Sequence, residues 1–260
     1  MTKLQIFVVV SAILLFFALH FGFDTVPPKQ KSIEEQRVLQ QTSTDIANLL
    51  QDAKAVLKGA TKAQLLTLEQ QLQIAKSDSA KIAAYEQLSS AWYQQKKPAI
   101  AGYYAEQLAL LSNTEAAWSI TGTTYAICVQ REEADKVKSF CSQNAVKAFE
   151  NATSLAPENI QHRINLALVH TSNPPPDMPM KGIMMLLDLN KKHPDNVLIL
   201  TNLARLGMQT GQYEKAAGRL ERAMAINPTD KKIVCMLSDA YQQLGRKQEA
   251  LAMAKRCQSK

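Results

Sequence analysis

The chain has 260 residues, 46% hydrophobic and 20% charged, a balance that folds rather than staying disordered. Only 9 Gly and 10 Pro stand among abundant Gln, Ala and Leu, which favours helix and argues against a β-sandwich or a glycine-rich nucleotide-binding sheet. A net charge of +7 with no concentrated basic block speaks for solubility and against a nucleic-acid partner.

Leu4 to Phe23 is an uncharged run of 20 residues. At 1.5 Å per residue it spans about 30 Å as a helix, the thickness of a bilayer core. It ends in Ala18-Leu19-His20-Phe21-Gly22-Phe23, with bulky rings where a signal peptidase needs small residues. Residues 1–23 are therefore expected to be an uncleaved transmembrane anchor. Its orientation is divided. Lys29, Lys31 and Arg37 after the span would hold the bulk of the chain in the cytoplasm. A long domain nevertheless translocates largely regardless of such charges.

Residues 24–60 open with the linker Asp24–Lys31, whose paired Pro27 and Pro28 prevent helix. A polar helix follows from Ser32 to about Lys58, with Leu39, Ile46, Leu49, Leu50, Ala53, Val56 and Leu57 at helical spacing. That stripe suits docking on the domain or pairing with a second copy in a short coiled coil, and is too irregular for a heptad assignment. The next segment, 61–79, carries a leading helix with Leu65, Leu68, Leu72 and Ala75 on one face.

From residue 80 onward the chain repeats itself. Residues 197–230 form a 34-residue unit with small residues at Ala204 and Ala216, a turn at Gly211 and a stop at Pro228. Small residues let two antiparallel helices approach, Gly accepts a left-handed turn, and Pro ends the second helix. Residues 231–260 repeat the plan with Leu237, Ser238, Tyr241, Gly245, Ala250 and Ala254. Residues 160–196 hold Leu166, Ala167 and the closing His193-Pro194, with Ser172–Pro179 lengthening the turn. Residues 115–159 hold Trp118, Gly122 and Tyr125, then Ala145, Phe149, Ala152 and Pro157, with extra residues around Arg131–Phe140 extending the hairpin. Residues 80–114 match least, with Lys96-Lys97-Pro98 where the turn glycine belongs. These units resemble the tetratricopeptide repeat. The resemblance implies an α-solenoid of about five helical hairpins over 80–260, so with the apolar run before it the chain is expected to be all-α: an N-terminal transmembrane helix, then the solenoid.

Cys128, Cys141, Cys235 and Cys257 lack the spacing of a zinc ribbon or redox motif. Within an antiparallel hairpin, Cys128 faces Cys141 about the turn that sets Gly122 opposite Ala145. Cys235 faces Cys257 much as Ser238 faces Ala250. Two intra-hairpin disulfides, needing an oxidising compartment, stand beside the alternative of four small core residues.

No catalytic motif occurs, and the chain is not expected to be an enzyme or to carry a cofactor or metal. His170 stands where the repeat usually has Tyr, and is expected to be a packed core imidazole. Met178, Met180, Met184 and Met185 are of a donor type that suits soft metals, yet the expectation is core filler.

The repeat register places Gln161, Asn165 and Leu168, then Thr201, Asn202, Arg205 and Gln209, then Lys232, Asp239 and Gln243 on the inner face. This is a polar groove suited to an extended peptide or a partner helix. Asn165 and Asn202 fall at one place of the carboxylate clamp found in some members of the family, but the matching lysines are missing. The expected function is a membrane-anchored scaffold binding a protein partner, similar in plan to bacterial periplasmic repeat proteins of envelope assembly. A cytosol-facing anchored receptor and an accessory subunit of a membrane complex are the alternatives.

Overall fold

The computed structural model describes Gln5 and residues 46–258. The chain divides into two units, residues 1–55 and 56–260. Of the expected anchor only Gln5 is described, so that expectation lies outside the described residues, as does the linker 24–31. Among the described residues no helix is long and apolar enough to cross a membrane. Residues 46–56 are helical, within the expected polar helix.

The second unit is all helix among its described residues: α1 (Gly59–Ile74), α2 (Asp78–Gln94), α3 (Pro98–Ser112), α4 (Glu115–Arg131), α5 (Asp135–Leu155), α6 (Ile160–Ser172), α7 (Lys181–Lys192), α8 (Val197–Gln209), α9 (Tyr213–Ile226), α10 (Lys231–Gln243) and α11 (Lys247–Gln258). Each helix packs chiefly on its neighbours in the chain. After α1, the pairs α2–α3, α4–α5, α6–α7, α8–α9 and α10–α11 are five consecutive hairpins, and stacking them buries the apolar stripe that each leaves open.

Local chemistry sets every boundary. The first helix of each hairpin is capped by a side-chain oxygen: Ser77, Thr114, Asn159, Asn196 and Asp230 accept from backbone N–H groups of α2, α4, α6, α8 and α10. Each cap contributes about 1 kcal/mol by satisfying an otherwise orphaned donor. Three links share a further device. Asn159, Asn196 and Asp230 donate their backbone N–H to the carbonyls of Ala156, His193 and Asn227 at 3.1, 3.2 and 3.4 Å. These are i to i+3 turns with proline at the second place, where its fixed φ is preformed. Arg222 and Arg256, each 28 residues beyond a link, donate to the carbonyls of Pro194 and Pro228 at 2.8 and 2.9 Å.

Within the hairpins, Gly211 and Gly245 take left-handed backbone at φ +73, as their turns demand. Lys96 occupies the equivalent turn at φ 58, a conformation that costs a residue with a Cβ about 1–2 kcal/mol. The α4–α5 hairpin uses no left-handed residue and is longer, with α5 reaching 21 residues. That is where the surplus residues around Arg131–Phe140 go.

The interior is a series of clusters spaced along the hairpins. Ala109, Ala117, Trp118, Ala148 and Ala152 form one cluster across α3, α4 and α5. Ile164, Ala167, Leu186, Leu189, Ile199 and Leu203 form the next. Leu200, Ala204, Ala216, Leu220, Ile233, Leu237 and Tyr241 belong to the last. The methionines depart from expectation. Met185 packs against the middle cluster. Met178, Met180 and Met184 stand 48%, 53% and 59% exposed and fill no core. The proline segment places Met178 in the turn before α7, and the face of α7 carrying Met180 and Met184 points away from the buried Leu186 and Leu189.

Candidate functional site

A broad concavity lies at the N-terminal end of the hairpin stack. It is a groove of about 610 Å³ with α2 and α4 as walls and α3 as floor. Ile82, Tyr93, Leu108, Ile120 and Ile127 supply its apolar surface, and Glu86 is its one charged group. Serine and threonine hydroxyls, among them Ser90, Ser119 and Thr123, are interspersed. Ile120 is 61% exposed and Tyr93 41%, so two large apolar groups face solvent here. Ser112 also lines the groove, and its Oγ is buried without a hydrogen-bond partner. A second hollow of about 340 Å³ between α1 and α2 shares Glu86 and Ser90 and extends the groove.

The walls are held by an interlocked polar network. Glu106 of α3, only 9% exposed, accepts from Tyr125 Oη at 3.0 Å and from Lys147 Nζ at 2.8 Å. This ties α3, α4 and α5 together. Burial, then the negative charge of Glu106, pushes the Tyr125 phenol well above its ordinary range, so it stays a donor at any physiological pH. Tyr104 makes a corresponding bond to Glu69 of α1 at 3.4 Å. Below the groove, Gly102 and Gly122 lie under aromatic rings. A Cβ on either would meet the Tyr125 or Phe149 ring at 2.6 or 2.7 Å. These contacts fix how far apart α3, α4 and α5 stand, and so how the α4 wall sits on the α3 floor of the groove.

At the α4–α6 junction Glu115 accepts from His162 Nε2 at 2.5 Å and from Asn159 Nδ2 at 3.0 Å. His162 is buried and its Nδ1 has no partner. His170 is buried as expected, and burial, followed by the charge of Lys181, lowers its pKa.

The cysteines form two cystines. Cys128 joins Cys141 between α4 and α5 with Cα atoms 6.0 Å apart, and Cys235 joins Cys257 between α10 and α11 at 5.0 Å. The first pair is fully buried, and the second is partly open.

The residues placed on the inner face from sequence occupy α6, α8 and α10. Several are engaged with one another. Gln161 donates to Asn165 at 2.9 Å, Asn202 donates to the Leu198 carbonyl at 2.8 Å, and Arg205 donates to Asn202 at 3.5 Å. Leu168 packs against the middle core cluster, and Thr201 donates to the Leu198 carbonyl at 3.1 Å. Gln209, Lys232, Asp239 and Gln243 are exposed. The N-terminal groove was not among those residues. Its walls hold the same repeat places two and three hairpins before α8: Ser119, Thr123 and Ile127 of α4 correspond to Thr201, Arg205 and Gln209, and Glu86 and Ser90 of α2 to Thr201 and Arg205. Counting back in register finds them. What obscured them was the loss of the turn glycine in the first two hairpins.

Residues 207–257 match the tetratricopeptide repeat family, covering the end of α8, α9, α10 and nearly all of α11. Those last hairpins carry the tetratricopeptide repeat signature. No curated protein matches it. Among solved structures this repeat protein is similar to MamA from Desulfovibrio magneticus RS-1, at 18% identity over 70% of this chain and 93% of that one, TM-score 0.44. It is also similar to PilW, described as a widely conserved type IV pilus biogenesis factor, at 16% identity over 68% and 76%, TM-score 0.48. A third is TTC0263, a thermophilic repeat protein of Thermus thermophilus, at 16% identity over 68% and 89%, TM-score 0.48.

Proposed function

We propose that the protein is a membrane-tethered repeat scaffold that grips a protein partner in the N-terminal groove, within envelope assembly or as a subunit of a larger complex. The observation that carries this is the groove itself. It is an apolar trough with exposed Ile120 and Tyr93, a lone carboxylate at Glu86 and an unpartnered Ser112 hydroxyl. Such a site takes an apolar side chain by burial, and the hydroxyls and Glu86 select a partner with a donor or basic group beside it. The preformed, cross-braced walls lower the ordering cost of binding. The exposed polar places Gln209, Asp239 and Gln243 continue this face and would contact the partner more weakly. The uncharged run Leu4–Phe23 supports the tether, and two cystines support an oxidising compartment for the repeats.

The test is photo-crosslinking in native cells, with a benzophenone amino acid at Tyr93, Ile120 or Gln243. Adducts are expected from positions 93 and 120, and those from 93 should vanish when Ile120→Glu is added. Adducts from 243 alone would move the site to the C-terminal hairpins. Protease protection of the repeats in intact spheroplasts would contradict placement outside the cytoplasm.

A further inference from the structure

We propose that Met178, Met180 and Met184 form a thioether site for a soft monovalent cation, Cu(I). Among the described residues the methionines divide sharply. Met185 packs against the middle core cluster, and Met208, Met224, Met236 and Met253 pack against the last one. Met178, Met180 and Met184 alone are about half exposed, and all three fall within seven residues of chain. Their exposure leaves apolar surface in water for no packing gain.

The backbone brings the three together. Lys181 N–H bonds the Met178 carbonyl at 3.0 Å, closing a turn that folds Met178 onto the start of α7. Met184 N–H bonds the Met180 carbonyl at 2.9 Å, so these two side chains are one helical turn apart on the same face. Residues so spaced have Cβ atoms about 5–6 Å apart. A thioether arm with three rotatable bonds spans half that distance, so the Met180 and Met184 sulfurs can meet at one ion, and the turn brings Met178 to the same end of α7 as the third donor.

The donor set decides the ion. Neutral thioethers are soft and attract Cu(I) while offering little to Mg(II), Ca(II) or Zn(II). Competing donors near the three methionines are few among the described residues. All four cysteines are held in cystines, His162 and His170 are buried, and the half-buried His193 lies at the opposite end of α7. Among the described residues no cluster of His, Cys, Asp and Glu suits a metal. The exposed carboxylate of Asp177 adjoins Met178 in the chain.

Ag(I) alone, as a redox-inert stand-in for Cu(I), is the probe, added to the full-length chain in mild detergent. Methionine methyl carbon-13 resonances are followed, with a parallel thiol count. One Ag(I) per chain is expected to shift the methyls of Met178, Met180 and Met184 and leave Met236 and Met253 in place, with no thiols released. Single Met→Leu changes at 178, 180 or 184 keep the apolar volume and remove the sulfur, and each should weaken binding by at least about tenfold. Met185→Leu should leave it unchanged. Three results would each overturn the site: unshifted methyls at one equivalent, undiminished affinity in the triple Met→Leu variant with native helicity, or thiols appearing as silver binds.

Discussion

The first two hairpins, α2 to α5, and the last two, α8 to α11, are built on one plan and finished differently. In both, a serine of the first helix donates to an alanine carbonyl of the second, Ser89 to Ala101 at 2.9 Å and Ser238 to Ala250 at 3.0 Å. In both, a tyrosine reaches back to a glutamate of the preceding hairpin, Tyr125 to Glu106 and Tyr241 to Glu221. The difference lies in what fills and lines them. The N-terminal pair packs Trp92, Trp118, Tyr125 and Phe149 against glycine and alanine, and leaves an apolar trough. The C-terminal pair packs Leu, Ile and Ala and presents polar side chains on the equivalent face. Even the shared tyrosine behaves differently. Tyr241 has Arg246 4.1 Å over its ring, and burial with the Glu221 bond raises its pKa to about 12. The repeat plan thus sets where the helices run and leaves the chemistry of the groove free to vary from hairpin to hairpin.

That contrast breaks most sharply at the cystines. Removing either pair as Cys→Ser doubles should cost about 3 kcal/mol in chemical denaturation, because the loops they close are of similar length. Under mild native reduction they should part ways. Cys235–Cys257 should open first, being partly exposed on a hairpin whose last helix buries no residue, while fully buried Cys128–Cys141 persists. Peptide mapping of alkylated cysteines over time reads the order, and simultaneous opening would show that both hairpins fluctuate alike.

A smaller effect separates the two packing styles. Gly102→Ala forces a methyl into the Tyr125 ring and should cost about 2 kcal/mol, with loss of partner crosslinking as the groove widens. Gly218→Ala, in open space on α9, should stabilise by about 0.5–1 kcal/mol. Thermal melts of the two variants should move in opposite directions.

The smallest effect tests the hairpin between these regions. His170 takes the repeat place held elsewhere by Tyr125 and Tyr241, and its folded pKa lies below the unfolded 6.5. The unfolded chain therefore binds the proton more readily, so this contribution is present above pH 6.5 and lost as pH falls below it. His170→Phe should flatten that part of the decline in Tm on acidification. An unchanged slope would assign the acid sensitivity to other groups.

Much of this was legible in the residues. Five hairpins and their turn glycines follow from short-range rules, in which Gly211 and Pro228 act on the backbone within a few residues. The mirror placement of Cys128 with Cys141 was likewise readable, because an antiparallel pair fixes facing positions. The groove was not. Ile120 and Trp118 lie two apart on one helix, both large and apolar, and only the packing of α3 and α5 decides that Trp118 is buried while Ile120 is left in the trough. The methionines tell the same story, since period alone made Met184 and Met185 equally fit for the core.

By itself the sequence determined the helical repeat, its register, and the composition of a run long enough to cross a bilayer. Those depend on local propensity and on spacing along one chain. Tertiary structure decided which inner-face residues form a cavity, that Glu106 is clamped between Tyr125 and Lys147, and that three thioethers stand in solvent. Each depends on the distance between helices, which is set by side chains far apart in sequence, such as Gly102 under Tyr125 and Gly122 under Phe149.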